Sequence, residues 1–146
     1  MGTQRLTWTG DRLQFVAQAG YGEPFAVGGD ADGPGAKPSD LLPLGLAACT
    51  AYDVVVILHK QRQDLRGLEV EVTTEQEPDV PFAFASIHLH FVLTGAVEDR
   101  KAERAIALSE DKYCSVAATI RPAVALTHSF EIRSSPAASG EPSRAY

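Results

Sequence analysis

The run LLPLGLAACTAYDVVVIL, residues 41–58, limits the folds open to this chain more than any other stretch. A long helix over 40–62 accounts for it. The basic HKQR at 59–62 suits a helix C-terminus, where backbone carbonyls point outward. Ser39 or Asp40 can cap the start. Pro43 then falls in the first turn, where the missing N–H costs nothing. Such a helix is apolar round much of its circumference, more than one face of a small monomer needs. The expectation is a homodimer with this helix near the shared core. A membrane span is the rival reading. Asp53 and Pro43 interrupt it, and no stretch is expected to have the length and apolarity of a span.

Inside that helix Cys49 and Asp53 lie one helical turn apart, on one face. Burial raises a thiol pKa, and an ionised carboxylate beside it would raise it further. Asp53 is therefore better suited to anchoring a cation, a backbone donor or a partner helix. Any charge that helps Cys49 ionise must come from elsewhere.

The rest of the chain alternates. RLTWT, LQFVAQA and EPFAVGG read as strands, with TGD as a hairpin turn. Residues 28–40, rich in Gly, Pro and Asp, form a loop. LEVEVTTEQ and FASIHLHFVLTG are two further strands that pair with each other. Residues 97–114 form an amphipathic helix with Ala102, Ala105, Ile106 and Leu108 as its apolar stripe. SVAATIRPA is a short helix halted by Pro122, and ALTHSFEIR is a last strand. The fold class is α+β with mostly antiparallel sheet, one domain over 1–133 and a disordered tail over 134–146.

A net charge of −6 argues against general nucleic-acid binding. The N-terminus has no basic segment followed by an apolar one, so the expected compartment is the cytoplasm. Cys49 and Cys114 are the two cysteines, with no CxxC between them. A static disulfide is not expected in a reducing compartment. Two readings stay open: a pair of buried free cysteines, or a pair that meets in the fold and cycles between thiol and disulfide. His88 and His90 share a strand face, but no third ligand stands at a suggestive spacing, so no metal is expected. GGDADGPG lacks the Lys-Ser/Thr of a phosphate loop, and there is no G-x-S-x-G.

KPSDLLPLGLAACTAYDVVVIL, followed by LRGLEVEV and later by KYCSV, resembles the OsmC/Ohr superfamily, the osmotically inducible and organic hydroperoxide resistance proteins. The likeness runs from about residue 5 to 132 and is greater to an OsmC-like subgroup than to Ohr proper. The resemblance implies an intertwined homodimer, with antiparallel sheets packed around two long helices. It implies a thiol peroxidase acting on organic hydroperoxides with no cofactor. Cys49 would be peroxidatic and Cys114 resolving, and a dithiol reductant such as a lipoylated protein would restore the pair. The family's activating arginine maps to Arg12 in TGDRL, with Arg5 as second choice. The family's glutamate ahead of the cysteine helix is missing. Ser39 stands in its place, and Asp40 is the nearest acid.

Three function classes follow: a hydroperoxide reductase, a non-catalytic thiol redox sensor on the same scaffold, and a binding protein for an apolar ligand. The cysteine pair favours the first two. Leu44, Leu46, Ala47, Ala48, Val54 and Val55, with Tyr52, are expected to line a dry pocket around Cys49 that prefers bulky hydroperoxides.

Overall fold

The structure, a computed structural model, describes residues 2–134. The expected disordered tail lies outside the described residues, Ser134 excepted. The chain divides into two compact units, Met1–Leu42 and Pro43–Tyr146.

The first unit is an antiparallel meander of β1 (Arg5–Trp8), β2 (Gln14–Gln18) and β3 (Phe25–Gly28), in that order. The turn between β1 and β2 uses left-handed backbone at Gly10 and at Arg12, and Trp8 Nε1 donates to the Arg12 carbonyl at 2.9 Å. This sheet has little core of its own. Leu6, Trp8, Val16 and Phe25 are exposed, and only Val27 and Gly28 are buried. Ahead of the long helix the chain makes a 3-10 turn over Pro38–Asp40.

The second unit is built on α1 (Leu41–Lys60), which begins just before the unit boundary and carries Pro43 in its first turn. One stripe of α1, Leu46, Thr50, Val54 and Leu58, is fully buried. Beside it in the unit is a sheet of β4 (Asp64–Gln76), β5 (Phe84–Ala96) and β6 (Ala125–Arg133), with β5 central. Alternation fixes its faces. Ile87, Leu89, Phe91 and Leu93 of β5 are buried, and His88, His90, Val92 and Thr94 point the other way. The β4–β5 pair is antiparallel; β5–β6 is parallel. A parallel pair needs a crossover, and α2 (Asp99–Leu108) and α3 (Ser115–Ile120) supply it.

Three sequence expectations need correction. The helix expected over 97–114 stops at Leu108 and gives way to a π-helical turn over Ser109–Tyr113. Its buried stripe is Ala102, Ala105, Ile106 and Ser109; Leu108 is only half-buried. The segment Pro38–Lys60 is, by length and composition, long and apolar enough to cross a membrane, contrary to the weight given to Asp53 and Pro43. One acid and a first-turn proline leave the rest of the helix almost wholly apolar. Here a stripe of it is spent on the core of the second unit.

The third correction is β4, which starts at Asp64 rather than Leu68. Leu65 is buried and pairs with Gly95, and the register shifts between Leu65 and Gly67. Gly95 has a φ of 132°, and a Cβ there would run into the Asp64 backbone carbonyl. Gly95→Ala should therefore destabilise the fold by at least about 1–3 kcal/mol, the usual cost of strained backbone. Chemical denaturation of the variant beside the parent chain measures this.

Candidate active site

Cys49 sits in the middle of α1, half-buried, and Cys114 sits at the end of the π-helical turn with 2% exposure. Both are free thiols. The fold brings them near each other: Cys114 Sγ lies 3.8 Å from the hydroxyl of Thr50, the residue after Cys49, and the Cys49 thiol is close enough to raise the Cys114 pKa. Cys114 caps α3, and its Sγ accepts from the Ala117 N–H at 3.3 Å. Thr50 Oγ1 lies 3.8 Å from the same sulfur and donates to the Leu46 carbonyl at 2.9 Å.

These surroundings hold Cys114 as a thiol. Burial pushes its pKa up, and the hydrogen bond and charge of Cys49 push it further. The Ala117 N–H and the Thr50 hydroxyl pull it back only in part. The sulfur that starts O–O cleavage must be a thiolate, so the Cys114 environment suits the second thiol of a pair better than the first.

Asp53 does not meet a cation here. Its carboxylate accepts a hydrogen bond from Ser109 Oγ at 2.7 Å, and Ser109 is fully buried. The Ser109 main-chain carbonyl accepts from the Cys114 N–H at 2.8 Å. The question raised by an acid on an apolar helix has a local answer: Asp53 anchors the turn that carries the other cysteine. Sequence reasoning missed Ser109. Its spacing from Ala102 and Ala105 put it in the buried phase of α2, and that was the available signal.

Comparison with known proteins agrees with this architecture. Residues 29–129 match the family model for OsmC-like protein. The chain belongs to the OsmC/Ohr superfamily. It is 36% identical to Protein YhfA of Escherichia coli over 129 residues, covering 88% of this chain and 96% of that one. Among solved structures, a protein of Aquifex aeolicus superposes with a TM-score of 0.84 at 26% identity, over 93% of this chain and 98% of the other. The organic hydroperoxide resistance protein OhrB of Bacillus subtilis shares the fold, with a TM-score of 0.60 at 17% identity over 90% of this chain and 98% of that one.

The two other residues mapped from the OsmC/Ohr pattern belong to the first unit. Arg12 is half-exposed and is engaged there by two acids, Asp30 at 3.9 Å and Asp32 at 3.5 Å. Asp40 closes the 3-10 turn ahead of α1. Arg5, the second choice, lies on the exposed strand β1.

The expected lining of a pocket at Cys49 is corrected in part. Leu46, Ala47 and Val54 face the core of the second unit and cannot line a pocket. An apolar groove of about 600 Å³ runs instead along the opposite side of α1, between Ala48, Tyr52, Val55 and Val56 and the Leu68 side chain of β4. Tyr52 and Leu44 are exposed, at 71% and 51%.

His88 and His90 are used by the outer face of the sheet. His90 Nε2 faces Glu131 at 3.2 Å and its Nδ1 faces Ser129 Oγ at 2.7 Å. His88 Nε2 reaches the same Ser129 oxygen at 2.8 Å, and its Nδ1 reaches Thr127 at 2.7 Å. Glu131, held below the ordinary carboxylate range by His90 and Arg133, can only accept. One consistent direction follows: Thr127 donates to His88, His88 to Ser129, Ser129 to His90, and His90 to Glu131. Among the described residues no group of three or more His, Cys, Asp or Glu side chains could hold a metal ion.

A third histidine escaped sequence reasoning. In ALTHSFEIR the positions in phase with Leu126, Phe130 and Ile132 face the core, and His128 is one of them. It contacts Glu110 of the π-helical turn at 2.9 Å and Glu103 of α2 at 3.3 Å. Burial of the ring opposes its charge, but the two glutamates outweigh this and the His128 pKa is raised. A raised histidine pKa gives stability that is full below about pH 6.5 and is lost as pH rises through the folded-state value. The stability gap between the parent chain and His128→Gln should thus be wide near pH 5.5 and narrow near pH 8.5. Urea denaturation at the two pH values reads it, and a gap that widened with pH would contradict the pairing.

Proposed function

We propose that this OsmC-family chain is a thiol-dependent peroxidase that reduces organic hydroperoxides. The observation that supports it is the meeting of two free thiols, one half-buried on α1 and the other shielded and held protonated. The Cys49 thiolate attacks the terminal peroxide oxygen. The O–O bond breaks, the alcohol leaves after taking a proton, and Cys49 becomes a sulfenic acid. The Cys114 sulfur then attacks the sulfenic sulfur. An S–S bond forms, the S–O bond breaks, and water leaves. A dithiol, such as a lipoylated protein in a cytoplasmic setting, reduces the disulfide by exchange. Arg12 keeps the activating role on the family resemblance, and Asp40, the acid nearest the place of the missing glutamate, is the candidate to orient it.

Organic hydroperoxide consumption with a dithiol reductant tests this directly. Cys49→Ser should abolish turnover. Cys114→Ser should lose the intrachain disulfide and drive Cys49 on to sulfinic acid under excess peroxide, as mass spectrometry would detect. Bulky organic hydroperoxides should be preferred: four more methylenes buried near Cys49, at about 0.8 kcal/mol each, favour a long-chain hydroperoxide over a short one roughly two hundredfold in kcat/KM. Disulfide formation without turnover would support the redox-sensor reading instead. Equal kcat/KM for hydrogen peroxide, cumene and fatty-acid hydroperoxides would show that the apolar residues near Cys49 do not hold the substrate chain.

The same reading includes a homodimer. Only a third of the long apolar segment is buried, and Leu44, Tyr52 and the groove leave a wide apolar face of α1 bare. A bare face of this kind calls for cover in water. Light scattering at micromolar concentration should give twice the 15.6 kDa chain mass. A monomer would overturn this part of the proposal.

A further inference from the structure

Thr50 and Ser109 are the only polar residues that are buried among the described residues. Both lie where α1 meets the arm that carries Cys114. Thr50 follows Cys49 directly and touches the Cys114 sulfur. Ser109 makes two contacts at once. Its hydroxyl donates to Asp53 at 2.7 Å, and its carbonyl accepts from the Cys114 N–H at 2.8 Å. The contacts therefore close a ring: one helical turn of α1 links Cys49 to Asp53, Asp53 holds Ser109, Ser109 holds the Cys114 backbone, and the Cys114 sulfur returns to α1 at Thr50, the residue after Cys49.

We propose that Asp53 and Ser109 are positioning residues for the Cys49–Cys114 pair, setting how readily the two sulfurs join. The proposal rests on the reading that this pair cycles. Neither residue touches the reacting atoms. Their bond fixes the start of the π-helical turn Ser109–Tyr113 on α1, and the turn sets where Cys114 lies. Arg121 and His128 hold the outside of the same turn, through Asp111 and the Glu110 carbonyl and through the Glu110 carboxylate. Asp53–Ser109 is the bond that joins it to the helix bearing Cys49. The quantity at stake is the effective concentration of one thiol at the other, which falls when either is left free to wander.

Equilibration in glutathione buffers tests this apart from any peroxidase activity. Two protein thiols and one oxidised glutathione give the intrachain disulfide and two reduced glutathiones, so the equilibrium constant is that effective concentration. Loss of one anchoring hydrogen bond should lower it about tenfold in Ser109→Ala and in Asp53→Ala, a shift of about 30 mV toward a more oxidising potential. Asp53→Asn keeps an acceptor oxygen and should stay within about twofold of the parent chain. Ser109→Ala removes a single oxygen, and with Asp53→Asn it keeps the test readable even where Asp53→Ala fails to fold. Parental values in both alanine variants would overturn the proposal. So would an Asp53→Asn value as low as that of the alanine variants, because the effect would then come from charge and not from the hydrogen bond. A parent chain that forms this disulfide in glutathione yet consumes no hydroperoxide would sink the peroxidase reading and leave the positioning role standing.

Discussion

The second unit is organised by one packed stripe. Leu46, Val54 and Leu58 of α1 are buried in the same core as Ile87, Leu89, Phe91 and Leu93 of β5, and Thr50 is buried on the same stripe. Among these, the apolar side chains carry the burial energy. Side chains of this size contribute about 1.5–3 kcal/mol each when fully buried. The stripe also fixes the helix about its axis. With Leu46, Thr50 and Val54 inward, Cys49 and Asp53 are left at the flank, where the Ser109–Cys114 arm passes. The placement of the two thiols therefore depends on how the core seats α1.

Much of this was legible in the sequence. Strand alternation located all six strands, and the basic end and first-turn proline framed α1. The family resemblance brought Cys49 and Cys114 forward as a pair. Two kinds of information were not legible. The π-helical turn has no signature in SEDKYC, since a run of helix formers reads as a continued α-helix. The partner of Asp53 depends on a contact between residues far apart in the chain. Ser109 and His128 were legible in part, because each polar side chain stood in the buried phase of its own element. Polarity outweighed phase in the reading, and so the bonds that tether the Cys114 arm were overlooked.

Charge is distributed unevenly within each unit. In the first unit Arg12 is engaged by Asp30 and Asp32. In the second, Arg121 is tied to Asp111 and His128 to two glutamates, all on the arm or its neighbours. The Cys114 sulfur itself meets only hydroxyl, amide and thiol groups. Electrostatics here fastens the scaffold, and the Cys114 thiol is left in a buried setting that raises its pKa.

The parallel pairing of β5 with β6 has a consequence in time. β4 and β5 are joined by a short connection, so their ladder can close early. β6 can join only after the chain has run through α2, the π-helical turn and α3, and Cys114 lies inside that detour. Glu110 of the detour is held by His128 of β6 itself. Until the last strand docks, Cys114 thus lies on a segment that neither the parallel ladder nor His128 yet holds in place. The neighbourhood that Cys114 shares with α1 is completed only at the end of folding.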